Sequence, residues 1–162
     1  MIVVSDASIL INLARIGELD LLQKLYGQIT IPDAVWQEVV VDGGDQPGAE
    51  DIRTAIWIRR MAITNRHLVQ ALRQDLDPGE SEAIALALEI GADLLLMDER
   101  LGRESARYFD LRYIGLVGAL VEAKHRGIIT KIRPYLDALR DRAGFRLSTA
   151  LYERVLRDQG EG

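Results

Sequence analysis

The chain contains no cysteine and only two histidines, His67 and His125. Disulfides, thiolate zinc sites and cysteine nucleophiles are thereby excluded, and two imidazoles alone cannot complete a zinc site. Proline is scarce, with four residues in 162, and tryptophan and phenylalanine occur twice each. No uninterrupted apolar run approaches the ~18 residues of a membrane span, and Met1 to Ser5 is too short and too uncharged for a secretory signal. Internal repeats, low-complexity tracts and long linkers are also missing. These absences lead us to expect a soluble, cytoplasmic protein with no membrane partner. What is present, 48% hydrophobic and 28% charged residues, suits one globular domain over residues 1–162 and is too apolar for a disordered chain.

The net charge of −5 argues on its face against a nucleic-acid partner, because phosphate contacts need a positive surface. The sum hides an asymmetry. Residues 1–99 carry 7 Lys+Arg against 17 Asp+Glu, whereas residues 100–162 carry 13 against 8. If carboxylates of the first part bind divalent cations, the bare sum misstates the field that a ligand meets.

Two short apolar runs stop at aspartate: Ile2 to Ser5 before Asp6, and Asp93 to Met97 before Asp98. Both read as strands buried on two faces, the signature of a parallel sheet. Helical spacing over Ala7–Ala14 and Glu18–Tyr26, a strand over Gln28–Ile31 and a helix opened by Pro32 give an α/β order. The stretch Val41 to Gly48 reads as a loop, Ala49–Ile56 as a helix, and Trp57–Thr64 contains a strand. Arg66–Asp75 reads as a short helix, and Asp77-Pro78-Gly79-Glu80 as a capping box launching Ser81–Ile90. Beyond Asp98 come a charged helix over Arg100–Tyr108, a strand over Arg112–Leu116 and a helix over Val117–Arg126. Helices over Thr130–Ala143 and Ser148–Asp158 make residues 130–162 a helical C-terminal extension.

In an open parallel sheet, ligands sit beyond the carboxyl ends of the strands, which is where Asp6 and Asp98 fall. Either aspartate alone is as readily a helix cap. Ser8 can hold the Asp6 side chain or cap its helix. Glu38 has Ala34, Val35, Val39 and Val41 as helical neighbours and no lysine or arginine between Lys24 and Arg53, so it needs a distant cation, a metal or water. Glu80 and Glu82, two apart, point to nearly opposite sides of one helix. Because Glu80 fills the third position of the capping box, Glu82 is expected to be the carboxylate that enters the crevice. Asp6, Glu38, Glu82 and Asp98 together describe a hard-oxygen site suited to Mg²⁺ or Mn²⁺, the kind that does phosphoryl chemistry.

The order Val-Val-Ser-Asp6-Ala-Ser8-Ile-Leu-Ile, then Pro32 to Glu38, then Gly79-Glu-Ser-Glu82-Ala-Ile-Ala-Leu-Ala, then Leu-Leu-Leu-Met-Asp98-Glu-Arg, resembles the PIN-domain family over roughly residues 1–120. It is most similar to the small VapC-like PIN proteins of prokaryotes. The resemblance implies a three-layer α/β/α fold with a central parallel sheet and a metal-dependent ribonuclease site. It also implies a toxin of a toxin–antitoxin pair, restrained by a small antitoxin protein, and a homodimer. Carried over by position, the acidic residues fall on Asp6, Glu38, Glu82 and Asp98, and the small polar residue on Ser8. The third acidic position, commonly Asp in VapC-like toxins, is Glu82 with Glu80 nearby, and Glu99 follows Asp98 where many relatives have a later Asp.

Arg100, Arg103 and Arg107 form one helical stripe beyond the proposed site and could bind an RNA backbone. The pairs Glu99–Arg103 and Arg100–Glu104 are equally good i, i+4 ion pairs on a solvated helix. Trp36, Trp57, His125 and the tyrosines read as packing or surface residues, with no aromatic cluster for base stacking. The competing readings are a PIN-like interaction module without catalysis and a phosphoacceptor receiver domain. The latter also gathers carboxylates at strand ends, but expects an acidic pair beside the first strand and a lysine at a later strand end. An apolar stripe of Ile132, Leu136, Leu139, Leu147, Leu151 and Val155 is expected to be buried, on the sheet or against a second copy.

Overall fold

The computed structural model describes residues 1–162. Five short strands, β1 (Val3–Ser5), β2 (Ile29–Pro32), β3 (Ile58–Met61), β4 (Leu94–Leu96) and β5 (Tyr113–Ile114), form one parallel sheet in the order β3-β2-β1-β4-β5. The helices in the first half are α1 (Ala7–Arg15), α2 (Asp20–Tyr26), α3 (Asp33–Trp36), α4 (Ala49–Thr54) and α5 (Arg66–Leu72). Those in the second half are α6 (Pro78–Glu89), α7 (Arg100–Tyr108), α8 (Leu116–His125), α9 (Arg133–Asp141) and α10 (Thr149–Asp158). None is long and apolar enough to cross a membrane.

Alternation along the strands separates two apolar layers. Val3, Ile29, Ile31, Leu94 and Leu96 join a cluster with Leu10 and Leu13 of α1, Leu22 of α2 and Leu120 of α8. Val4, Leu95 and Met97 face the other way, against Val69 of α5, Ala83–Ala87 of α6 and Ala106 of α7. This is the expected three-layer α/β/α sandwich. The chain winds outward from β1 through β2 to β3 and returns to the other side of β1 for β4 and β5. The reversal opens a crevice between the carboxyl ends of β1 and β4, where Val4 pairs with Leu95 and Ser5 with Leu96. The order also differs from the 2-1-3-4-5 of receiver-type folds, which removes that alternative.

Local sequence chemistry sets most boundaries. The capping box at Asp77 is present in full: Asp77 Oδ1 accepts from Glu80 N at 2.7 Å and Glu80 Oε1 from Asp77 N at 3.0 Å. Ser148 caps α10 through the Leu151 N–H. Pro32 closes β2 rather than opening a helix, and α3 begins at Asp33. Past Trp36 the helix widens into a π-turn over Gln37–Val41, in which Asp42 N donates to Gln37 O at 2.8 Å. The extra residue buries Val39 and leaves Val41 exposed.

The C-terminal extension belongs to the main core. Ile132, Leu136, Leu139, Val155 and Leu156 are buried in the same cluster as β1, while Leu147 and Leu151 pack half-buried at its edge. The stripe is therefore covered within one chain. Cations of the last third fasten it: Arg126 donates to Leu25 O at 2.6 Å, at the end of α2, and Arg142 to Ile16 O at 3.3 Å, just past α1. Both sit where helix carbonyls lack partners and where positive charge is favoured. Lys124 Nζ donates to Gln159 O and to Glu161 Oε2, each at 2.6 Å. Leu136→Ala should accordingly cost about 2–5 kcal/mol, as for a buried leucine in a well-packed core, measured by urea unfolding. A loss below about 1 kcal/mol would mark the extension as peripheral.

Candidate active site

Asp6 stands one residue beyond β1 and is 2% exposed. Its Oδ1 accepts from Ile9 N at 3.1 Å, capping α1, and its Oδ2 accepts from Asp98 N at 3.2 Å. Asp6 N itself donates to Leu96 O at 3.0 Å. The capping role and the crevice position are thus held by one side chain, which also ties the ends of β1 and β4 together. Burial pushes its carboxyl up to about 7, against the Ile9 N–H and with help from the Asp98 charge.

Asp98 does not cap the helix that follows it; Glu99 does, through the N–H groups of Leu101 and Gly102. Asp98 Oδ1 instead accepts from Leu116 N at 2.9 Å, at the start of α8, whose N-cap Gly115 has no side chain to offer. The same oxygen meets Arg103 Nη2 at 3.3 Å, and Arg103 Nε donates to Met97 O at 2.9 Å. A Cβ on Gly115 would meet the Arg103 guanidinium and the Asp98 carboxylate, so a side chain there would displace this pair. Asp98 Oδ2 is buried with no hydrogen-bond partner. Burial raises this carboxyl above its ordinary value, opposed by Leu116 N–H and Arg103.

The two glutamates of α6 are arranged opposite to the sequence expectation. Glu82 does not enter the crevice: its Oε1 accepts from Ala34 N at 3.0 Å at the start of α3, and its Oε2 meets Arg66 Nη1 at 3.3 Å. Glu80 lines the same cavity as Asp98, Glu99 and Ser8. Its carboxyl is pushed up to about 7 by burial first, then by the negative charges of Asp77 and Glu99. The capping bond uses only Oε1, so the structural and the crevice-facing roles coexist. Glu38, half-buried in the π-turn, abuts the start of α6 and makes no hydrogen bond or ion pair; burial raises its carboxyl, followed by Asp77 and Asp42. Ser8 sits on the exposed face of α1, where its carbonyl and hydroxyl accept from Asn12 Nδ2.

The arginine stripe is divided among separate partners. Arg100 pairs with Glu104 at 2.9 Å, Arg103 turns inward to Asp98, and Arg107 donates to Tyr113 Oη at 2.8 Å. Glu99–Arg103 does not form, because Glu99 is spent on the α7 cap. Only Arg103 lines the crevice cavity, of about 840 Å³, which it shares with Arg15, Arg146, Tyr113 and Phe145. The sequence reading missed these last four, which lie on an exposed helix end, a strand and a loop with no local pattern.

The donor set suits a divalent cation. The crevice offers carboxylate oxygens and no nitrogen or sulfur ligand, and Asp98 Oδ2 is a buried acceptor with no hydrogen-bond donor, although Arg103 reaches the other oxygen of the same carboxylate. No three His, Asp or Glu side chains stand close enough together to hold a metal ion in this conformation.

A family model described as a PIN domain matches residues 2–161, which takes in the C-terminal helices beyond the stretch carrying the sequence motifs. No curated protein matches the chain.

In the folded protein Asp6, Glu80 and Asp98 keep their protons to higher pH than in the unfolded chain, where carboxyls ionise near pH 4. Between about pH 4 and about pH 7 the unfolded state binds fewer protons, so stability falls as pH rises. Glu89, held low by the N–H groups of Asn65 and Thr64 against its burial, acts only below that interval. The metal-free protein should melt higher at about pH 5 than at about pH 8, and Asp98→Asn should reduce the fall. A melting temperature that is flat or rising over this range would mean the folded state compensates all three charges.

Proposed function

Because this chain belongs to the PIN-domain family, whose members are generally nucleases that use divalent metals, we propose that it is a Mg²⁺- or Mn²⁺-dependent endoribonuclease of the VapC-like kind. The observation that carries this reading is the buried, unpartnered Asp98 Oδ2 beside Asp6, at the switch point of a parallel sheet. Asp6 and Asp98 would hold the cation, with Glu80 across the crevice and Glu38 at its margin. A divalent cation in such a site neutralises developing charge on the phosphate and lowers the pKa of an attacking water.

The remaining work falls to the protein's own groups. Asp6 and Asp98 are held by backbone N–H donors, so their orientation needs no reorganisation during reaction. Glu80 keeps Oε1 on the Asp77 N–H and has Oε2 free to take the proton of a water, with a proton affinity matched to neutral pH. Arg103 steadies Asp98 from behind. Glu82 supports the site indirectly by fixing α3 against α6.

A toxin role within a toxin–antitoxin pair follows from the same reading. The restraining partner would be a small protein that places a basic side chain against Asp98 Oδ2, the position that charge-assisted pairing favours. Arg100, Arg103 and Arg107, already paired within the chain, offer less to an acidic segment. We also propose a homodimer, the commonest soluble assembly, and a cytoplasmic location.

Purified protein incubated with mixed RNA should cleave it with Mn²⁺ and not with EDTA. Glu80→Gln and Asp98→Asn should each abolish cleavage while the fold survives. Glu82→Gln should retain cleavage and lose about 1–3 kcal/mol of stability, the cost of weakening a buried charged acceptor. The reverse pattern for the two glutamates would assign the site to Glu82. RNA left intact in every divalent metal would leave the chain an interaction module.

A further inference from the structure

We propose that Arg146, on a loop that Arg15 holds at the crevice, grips the phosphodiester backbone of a single-stranded nucleic acid at a phosphate other than the one over the carboxylates. This deepens, and rests on, the reading of the crevice as a nucleic-acid site. Along α1, Ser8, Asn12 and Arg15 lie at i, i+4 and i+7 on one face, and all three line the crevice cavity. Seven residues span roughly 10 Å along a helix axis. The Ser8 end of that face, in the cavity with Glu80, Asp98 and Glu99, is therefore a helix length from Arg15, whose Nη1 donates to Ala143 O at 3.2 Å. That bond brings the loop carrying Arg146 to the far end of α1.

Most other cations of the last third already have partners. Arg100, Arg103, Lys124 and Arg140 are in ion pairs, Arg107 and Arg133 bond tyrosine hydroxyls, and Arg126 and Arg142 bond helix carbonyls. Arg146 is exposed, has no hydrogen bond or ion pair, and lines the cavity. Its loop is fixed on both sides, by Phe145 N donating to Leu139 O at 2.9 Å and by the Ser148 cap.

A polyanion lying over Asp98, Glu80 and Glu99 is repelled by their negative charge at every phosphate that a bound cation does not neutralise. Cations a helix length away attract the neighbouring phosphates and fix the direction of the strand. Tyr113 and Phe145, half-buried in the same wall, add aromatic surface beside the arginines, the combination that single-stranded sites use.

The test measures binding of a fluorescently labelled, mixed-sequence single-stranded oligoribonucleotide to Asp98→Asn protein across a salt series, by anisotropy. Added to that background, Arg146→Ala is expected to weaken binding and to lower the slope of log K against log salt by about 0.7, the value for one single-strand phosphate contact. Arg146→Lys should keep the slope. Arg154→Ala makes the same charge change at an exposed position of α10 that does not line the cavity, and should leave the slope as it was. Equal slopes for the Arg146→Ala and Arg154→Ala proteins, or no binding at low salt, overturns the proposal. Cleavage assays separate it from the nuclease reading. Arg146-dependent binding without cleavage in any divalent metal keeps this inference and removes that one, whereas cleavage with an unchanged KM after Arg146→Ala removes this inference alone.

Discussion

The Asp6 carboxylate is the constraint on which the crevice depends. One oxygen ends α1 and the other holds the backbone of Asp98, so the two central strands cannot separate without stranding buried polar groups. Burial in turn raises the proton affinity of that carboxyl. A site that gathers acids at the switch point of a sheet is thus built at the expense of stability above neutral pH. Neutralising charge on the same acids, by a proton or by a cation, relieves that cost.

Positive charge is distributed with equal economy. Three of the arginines that give the last third its excess, Arg126, Arg133 and Arg142, hold that third in place, at the ends of α1 and α2 and against Glu161. Arg103 faces inward and serves as the counter-charge of Asp98. The cations in ion pairs have much of their field cancelled by their carboxylate partners, so a count of basic residues overstates the attraction that an approaching polyanion meets.

The strand ends were readable because buried parallel strands are continuous apolar runs, and the residue that stops each run is the one at the crevice. Asp6 and Asp98 follow from that alone. The capping box at Asp77 and Glu80 was equally legible from its spacing. What the spacing could not tell is which way α6 faces, because Ser81 through Ala87 are all buried and no apolar stripe marks the inner side. Nor does the capping box exclude Glu80 from the cavity, since a capping glutamate uses one oxygen and keeps another. The partner of Glu82 is the N–H of Ala34, 48 residues away, and such a contact has no local signature. The same holds for Arg146, an exposed loop residue whose importance lies only in what stands opposite it.

Glu161 lies outside the crevice and gathers the C-terminal helices to one point. Its two carboxylate oxygens receive the N–H groups of Ile132 and Arg133 at the start of α9 and the ammonium of Lys124. Loss of this one carboxylate would leave both N–H groups at the start of α9 without an acceptor and take one of the two partners of Lys124, so α8, α9 and the segment after α10 are held by a single side chain.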